Sequence, residues 1–381
     1  MTDDVQRFRA AHVVTPTGVL DDAVVEVRGE RVASVHANGG DERAERLGGW
    51  VVPGFVDTHV HGGGGHDYAT TDHEEARAAR DFHARHGTTS TFASLVTAPV
   101  EDLLAQLGVL ADLVEADDLE GVHLEGPFLS PDHAGAHEPS LLRTPDPATV
   151  DRLVEAGRGT LRTVTLAPEL DGGLDAVRRL VAAGVHVAVG HTAADDATVA
   201  RAIDLGADVG THVFNAMPPV HHRRPGPVPR LLTDPRVAAE LIADGFHVEQ
   251  EVLRMALAAA GPDGVVLVTD AMVAAGMPDG AYALGGLDVR VTDGQARLVL
   301  TDGTPGSIAG STLTTARAFA LVVRLTGDLP GAARFAATNP ARHFGIDAGT
   351  VEPGRCADLC LVDDDGVLQR VMRRGRWLER A

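Results

Sequence analysis

The sequence predicts an α/β protein: a TIM-like (β/α)8 barrel with a small β-sandwich domain built from both termini. Eight near-continuous apolar runs of strand length, with helix-patterned stretches between most of them, predict the barrel. Both ends of the chain instead read as β-structure. We therefore expect the small domain at 1–52 plus 347–381, and the barrel at 53–346.

The terminal segments carry hairpin signals. VVEVRGERVASVHA alternates apolar and polar residues around an RGER turn, as a hairpin does. At the other end, GTVEPGRCADLCLVDDDGVLQRVMRRGRWLE has short apolar runs broken by PG and DDDG turns. We expect the two segments to pair in one β-domain.

The central segment repeats a strand and a helix. Its strand candidates are GFVDTHVH, TTSTFASL, LEGVHLEGPF, RTVTLAPE, VHVAVGHT, DVGTHVFNAM, VAAELIADG and GVVLVTDA. Stretches such as EDLLAQLGVLADLVEA and GLDAVRRLVAAG space apolar residues three or four apart, which indicates amphipathic helices. Eight units favour a closed barrel, and no GxGxxG follows the first strand, as a dinucleotide-binding fold would require. A hairpin-like insertion, YALGGLDVRVTDGQARLVLTDG, follows the eighth strand.

Composition excludes several classes of function. The 381 residues carry a net charge of −21, which disfavours a broad nucleic-acid or anionic-membrane surface. No apolar run reaches about 18 residues, and MTDDVQRF lacks an apolar core, so we expect no membrane span and no secretory signal. The cysteine usage fits a reducing cytoplasm, where we expect the protein to be. Cys356 and Cys360, about 13 Å apart in one extended strand, are too distant for a disulfide.

The chain contains no lysine; all 33 of its Lys and Arg residues are arginine. This excludes a lysine Schiff base, a Walker-type phosphate loop and a carbamylated lysine that bridges two metals. If two metals bind, a carboxylate must bridge them, and Glu125 is the candidate.

Metal-type ligands follow the apolar strands in DTHVH, HLEGP, VGHT, THVFNAM and VTDA. A barrel gathers the C-terminal ends of its strands on one face, so residues distant in sequence meet there. We expect one site built from His59, His61, Glu125, His191, His212 and Asp270. Imidazole and carboxylate ligands of this kind suit zinc or iron, although the ligand set alone does not rank zinc, iron and manganese.

Two of these strand ends leave alternatives open. Asp270 fits a general base that takes a proton from water and passes it to a leaving group, but it would also suit a helix N-cap. His123 lies on the same face of its predicted strand as Glu125, but one step deeper in the barrel, so we favour an indirect or packing role for it.

The motifs DTHVH, HLEGPF, GHT, THVFNAM, IADGFHV and VTDA, in this order, resemble the amidohydrolase superfamily and, within it, the deacetylases of N-acetylglucosamine 6-phosphate. The resemblance implies a principal metal held by Glu125, His191 and His212. It implies a second metal, found in only some members, on His59 and His61, and Asp270 as general base.

The same resemblance implies a phosphorylated N-acetyl amino sugar as substrate. The residues implied to bind it are His137 near the scissile amide, Asn215, the Ala216 backbone, Arg223 and His247 at the sugar phosphate, and the SIAGS segment with Ile308. Arg223 is implied to reach a neighbouring subunit, so we expect a homodimer or homotetramer. The basic cluster HHRRPGP at 221–227 independently favours a phosphate site, because arginine forks suit phosphate oxygens.

Alternatives remain at this stage. The substrate could instead be N-acetylgalactosamine 6-phosphate or another N-acyl compound, and the number of metals per subunit, one or two, is open. A non-catalytic protein that keeps the barrel is a rival from another class. Such a protein would usually lose ligands, whereas all six positions carry them here.

Overall fold

The computed structural model describes residues 5–37 and 42–379. The chain folds into two compact units. The first comprises Met1–Asp57, Asp81–Ser90 and Thr314–Ala381, and the second comprises Thr58–Arg80 and Thr91–Leu313. The domain boundaries expected from the sequence stay a prediction.

The chain begins with five strands whose alternating side chains cover a small apolar core; the first three pair antiparallel in chain order, and the next two pair parallel with the first. Its strands are β1 (Val5–Thr15), β2 (Gly18–Arg28), β3 (Arg31–Ala37), β4 (Glu45–Arg46) and β5 (Trp50–Pro53). Strand β2 pairs with β3 across the RGER turn, where Gly29 has a φ of 59° that glycine adopts without strain. The predicted hairpin is therefore confirmed.

The central strands follow next in the chain. They are β6 (Phe55–Asp57), β7 (Gly62–Gly63), β8 (His66–Asp67), β9 (Thr88–Leu95), β10 (Gly121–Glu125), β11 (Leu161–Leu166), β12 (His186–Val189), β13 (Val209–Gly210), β14 (Ala238–Ile242) and β15 (Val265–Val268). Apart from the β7–β8 hairpin, they form one eight-stranded sheet in chain order, from β6 and β9 to β15. These are the eight strands that the apolar runs predict, and they form a nearly closed parallel barrel.

Helices alternate with the barrel strands, as their spacing predicts. They are α1 (His73–Arg85), α2 (Val100–Glu115), α3 (Pro147–Ala156), α4 (Gly173–Ala182), α5 (Asp196–Asp204), α6 (Val228–Thr233), α7 (Gln250–Gly264), α8 (Thr315–Thr326), α9 (Leu329–Ala333) and α10 (Asn339–Phe344). Among the described residues, no helix is long and apolar enough to cross a membrane.

Two further groups of strands complete the chain. Strands β16 (Gly280–Leu284), β17 (Leu287–Thr292), β18 (Gln295–Val299) and β19 (Pro305–Ile308) form an antiparallel sheet, one strand pair larger than the expected hairpin.

The last strands are β20 (Leu359–Val362), β21 (Leu368–Arg373) and β22 (Arg376–Trp377). They join the first sheet in the order β22-β21-β20-β5-β1-β2-β3. Hydrogen bonds thus link both termini in one sheet, which confirms a small β-domain built from the two ends. Cys356 and Cys360 are free.

Candidate metal centre

Six side chains meet where the barrel strands end. They are His59 and His61 after β6, Glu125 at the end of β10, His191 after β12, His212 after β13 and Asp270 after β15. All six are buried. The segments after the first and last strands are joined directly, because the Asp270 N–H donates to the His59 carbonyl at 2.8 Å.

The donor atoms form two overlapping groups that share Glu125. In one, Glu125 Oε1 lies 3.1 Å from His191 Nε2 and 2.9 Å from His212 Nε2. In the other, His61 Nε2 lies 3.3 Å from Glu125 Oε2 and 3.1 Å from Asp270 Oδ1. His59 belongs to this second group. The carboxylate singled out as a bridge in a lysine-free chain therefore lies between the two groups.

Three of these residues have strained backbones. The φ angles of His191, His212 and Asp270 are 46°, 23° and 49°, in the left-handed region that side-chain-bearing residues rarely adopt. Each lies two residues after its strand, where the chain turns sharply. Strain of this kind concentrates at functional sites, where it fixes the direction of a side chain.

Backbone carbonyls orient two of the histidines. His61 Nδ1 lies 3.2 Å from the Ser94 carbonyl oxygen, and His191 Nδ1 lies 2.9 Å from the His133 carbonyl oxygen. A carbonyl can only accept, so each Nδ1 carries the proton and donates it. When Nε2 carries no proton, each ring then presents the Nε2 lone pair to the centre, as a metal ligand must.

Glu240 does the same for His59 and was missed by the sequence analysis. Its Oε2 accepts from His59 Nδ1 at 3.1 Å and from the His212 N–H at 3.3 Å. One buried carboxylate on β14 therefore holds a residue from each donor group. A signal was present, because Glu240 is the only charged residue in the buried run AAELI, where an unpaired carboxylate would be costly.

The electrostatics of the group favour a cation. Burial raises the pKa of Glu125, but the charge of His59 and hydrogen bonds from neighbouring histidines hold it well below its usual range. Burial lowers the pKa of His61, but hydrogen bonds to Asp270 and Glu125 raise it to about 9. The Asp270 carboxyl, although buried, has a lowered pKa because His61 donates to it. Buried anions with inward nitrogen lone pairs fit a divalent metal ion.

His137 is held as a neutral hydrogen-bond donor. Its Nδ1 lies 3.3 Å from the Thr97 N–H, which can only donate, and 2.9 Å from Thr97 Oγ1. Nδ1 is therefore the acceptor, and the proton of the neutral ring is on Nε2, 3.3 Å from Glu125 Oε2. Burial lowers the pKa of His137 to about 4 against the opposing effect of Glu125.

His123 lies one layer below the metal-type ligands. Its ring nitrogens contact Ser94 Oγ and Thr165 Oγ1, each at 2.9 Å. Burial holds its pKa well below the usual range. It belongs to neither donor group, so the structure gives it the indirect position that its place in the strand predicts.

A cavity of about 400 Å³ opens beside the two donor groups. Five of the expected substrate residues line it: His137, Asn215, Ala216, His247 and Ile308. Arg223, the sixth, does not. It is exposed on the loop after β13, where its Nη1 lies 2.7 Å from His222 Nε2.

Comparisons with known proteins agree with this geometry. Residues 50–378 match the amidohydrolase family. The fold is similar to a mutant N-acetyl-D-glucosamine-6-phosphate deacetylase from Mycobacterium smegmatis, solved in complex with N-acetyl-D-glucosamine-6-phosphate. The TM-score is 0.94 at 46% identity, covering 98% of this chain and 99% of that chain.

Two curated relatives match over nearly their full length. N-acetylgalactosamine-6-phosphate deacetylase of Escherichia coli O157:H7 is 36% identical, covering 97% of this chain and 98% of its own. N-acetylglucosamine-6-phosphate deacetylase of Lysinibacillus sphaericus is 33% identical, covering 97% and 96%.

Proposed function

The chain belongs to the amidohydrolase family, and from that membership we propose that it hydrolyses the acetamide of N-acetylglucosamine 6-phosphate. The products are glucosamine 6-phosphate and acetate. Membership of the family confirms the resemblance predicted from the motifs, and the chain is a hydrolytic enzyme.

One observation carries the proposal: two buried donor groups share Glu125 at the edge of a cavity that also receives Asp270 and His137. A hydrolase of an unactivated amide needs an electrophile, a base and a donor for the oxyanion in one place. Few other purposes would offset the cost of burying this many ionisable groups together.

The donor groups would hold the metal. The principal ion would be held by Glu125, His191 and His212, and a second by His59 and His61, with Glu125 available to both groups. We propose zinc or iron, with one or two ions per subunit. When bound, such an ion supplies Lewis acidity, which polarises a carbonyl and lowers the pKa of water from about 15.7 toward about 7.

The chain's own residues supply the proton transfers. Asp270, kept ionised by its lowered pKa, takes a proton from the attacking water and delivers it to the departing amine nitrogen. His137 donates its Nε2–H to the acetamide oxygen as negative charge develops there. Because Nδ1 of His137 already accepts from Thr97, this ring is suited to donate and not to act as the base.

The sugar phosphate would lie against Asn215, Ala216 and His247, which line the same cavity. Arg223 does not line the cavity of its own subunit, and we propose that it reaches the cavity of a neighbour in a homodimer or homotetramer. A test mixes Arg223→Ala and Asp270→Asn subunits. Activity above either parent supports the cross-subunit arrangement, and activity no higher than the parents' average contradicts it.

The direct test of function is acetate release. N-acetylglucosamine 6-phosphate, its unphosphorylated form and the galacto epimer are compared, with bound metal quantified in the same preparation. We expect the phosphorylated gluco substrate to give the highest kcat/KM. No acetate from any phosphorylated substrate, with metal bound, contradicts the proposal.

The second candidate substrate is N-acetylgalactosamine 6-phosphate. The relative from Escherichia coli, 36% identical over 97% of this chain, favours it. A higher kcat/KM for the galacto epimer in the assay above would select it. We also propose a cytoplasmic location, in keeping with two free thiols.

A further inference from the structure

A buried carboxylate holds the cavity histidine His247. Strand β14 ends at Ile242, and the chain then turns through Asp244 and Gly245, whose φ is 83°. Asp244 Oδ1 accepts from the Phe246 N–H at 2.8 Å and the His247 N–H at 2.9 Å. Its Oδ2 lies 2.7 Å from His247 Nδ1, and both side chains are 6% exposed. The turn therefore fixes the carboxylate, and the carboxylate fixes the ring.

This contact decides what the other ring nitrogen can do. An ionised carboxylate only accepts, so His247 Nδ1 must donate. In a neutral ring, Nε2 would then carry a lone pair, which repels a phosphate oxygen. Only the imidazolium donates from both nitrogens, and the 2.7 Å contact to the carboxylate commits Nδ1 to donating. Burial raises the pKa of the Asp244 carboxyl, but the hydrogen bond and charge of His247 lower it, consistent with an ion pair.

The cavity needs such a cation. Among the described residues, no arginine lines it, and the chain has no lysine. Acidic residues Glu125, Asp132 and Asp270 do line it. Within one subunit, a cationic side chain for an anionic substrate group must therefore be a histidine. The rings of His61, His137, His191 and His212 are already directed at the donor groups. Of the other two lining histidines, His133 and His247, it is His247 that a carboxylate, Asp244, holds from outside the donor groups.

We propose that Asp244 is a positioning residue that keeps His247 as an imidazolium, whose Nε2–H donates to the substrate's phosphoryl group. This inference rests on the proposed function for the identity of the substrate. Asp244 then determines affinity for the phosphoryl group and takes no part in cleavage of the amide.

The test substitutes Asp244→Asn, which keeps an oxygen to accept the two backbone N–H groups but removes the charge. For N-acetylglucosamine 6-phosphate we expect KM to rise about tenfold or more, as for loss of a charge-assisted hydrogen bond, with kcat within about twofold. The kcat/KM for the unphosphorylated sugar should not change. A purely structural role would lower activity on both substrates together.

The matched control is Asp195→Asn, since Asp195 likewise accepts a backbone N–H, from Thr198 at 2.8 Å, but shows no contact with a histidine among the described residues. It should leave both substrates unaffected. An unchanged KM in Asp244→Asn, or equal losses on both substrates, overturns the inference.

Binding of inorganic phosphate gives a test that does not depend on turnover. Calorimetry should show about tenfold weaker phosphate binding for Asp244→Asn than for the unsubstituted protein, and 15N NMR should show both His247 nitrogens protonated only in the latter. Equal affinities, or a neutral His247 in the unsubstituted protein, would contradict the inference even if the enzyme acts on another substrate. Failure of the proposed function appears separately, as absence of acetate release.

Discussion

Glu240→Gln isolates the role of the carboxylate that contacts both donor groups. Glutamine keeps the size of the side chain and one acceptor oxygen, so His59 Nδ1 and the His212 N–H can still donate. What disappears is the negative charge 3.1 Å from His59 Nδ1, in a contact where both side chains are at most 3% exposed. Solvent screens such a buried contact very little.

The expected loss follows from this position. Removing the partner of a metal-ligating histidine typically weakens metal binding by about 10- to 100-fold, or roughly 1.4–2.7 kcal/mol. We expect that loss at the group that contains His59. The group of Glu125, His191 and His212 is touched only through the His212 N–H at 3.3 Å, and its affinity should change by less than about threefold.

The assay is a calorimetric titration of metal-stripped protein with zinc in the presence of a competing chelator, supported by metal content after dialysis. Asp358→Asn is the control, a buried carboxylate of the other unit that accepts from the Arg374 N–H. Glu240→Gln should lose one class of zinc site and the control none. Unchanged affinities at both classes, or equal losses at both, would refute the reasoning.

Three further predictions concern the same centre. Asp270→Asn should lower kcat by orders of magnitude with normal metal content, and near-normal turnover would reject Asp270 as the base. Thr97→Val removes the 2.9 Å hydroxyl contact to His137, so kcat should fall about fivefold with little change in KM; Thr97→Ser should restore it, and loss of metal instead would indicate a structural role. Zinc affinity should decrease as the pH is lowered, because a proton on His61, with a pKa of about 9, competes with the metal. Between pH 8 and pH 6 the apparent affinity should drop about 100-fold or more, and a flat profile over that range would contradict the assigned ligand.

The barrel was predictable because each of its strands is a short apolar run. The ligands were predictable because His191, His212 and Asp270 each lie just past such a run, and a parallel barrel allows only one place for strand ends to meet. The sequence alone did not predict their positive φ angles, since nothing in GHT or VTDA requires a left-handed turn.

The residues that orient the histidines of the site were not predicted from the sequence. Glu240, Thr97 and Asp244 act through partners on other segments or through a local turn, so their roles appear only when the hydrogen bonds are seen. Arg223 is the reverse case, a residue that the sequence predicts at the substrate site but that does not line the cavity. Its basic loop follows a metal-bearing strand, yet the side chain does not line the cavity of its own chain, because loop direction is not encoded in spacing.

Because one carboxylate belongs to both donor groups, two ions bound there would not bind independently. The first cation to arrive neutralises charge that the second would have used, so loading should proceed in steps of unequal strength. The number of ions per chain in a purified preparation would then depend on the metal supplied during growth as well as on the affinity of the ligands. A preparation with one ion per chain and another with two would be the same molecule at different stages of filling.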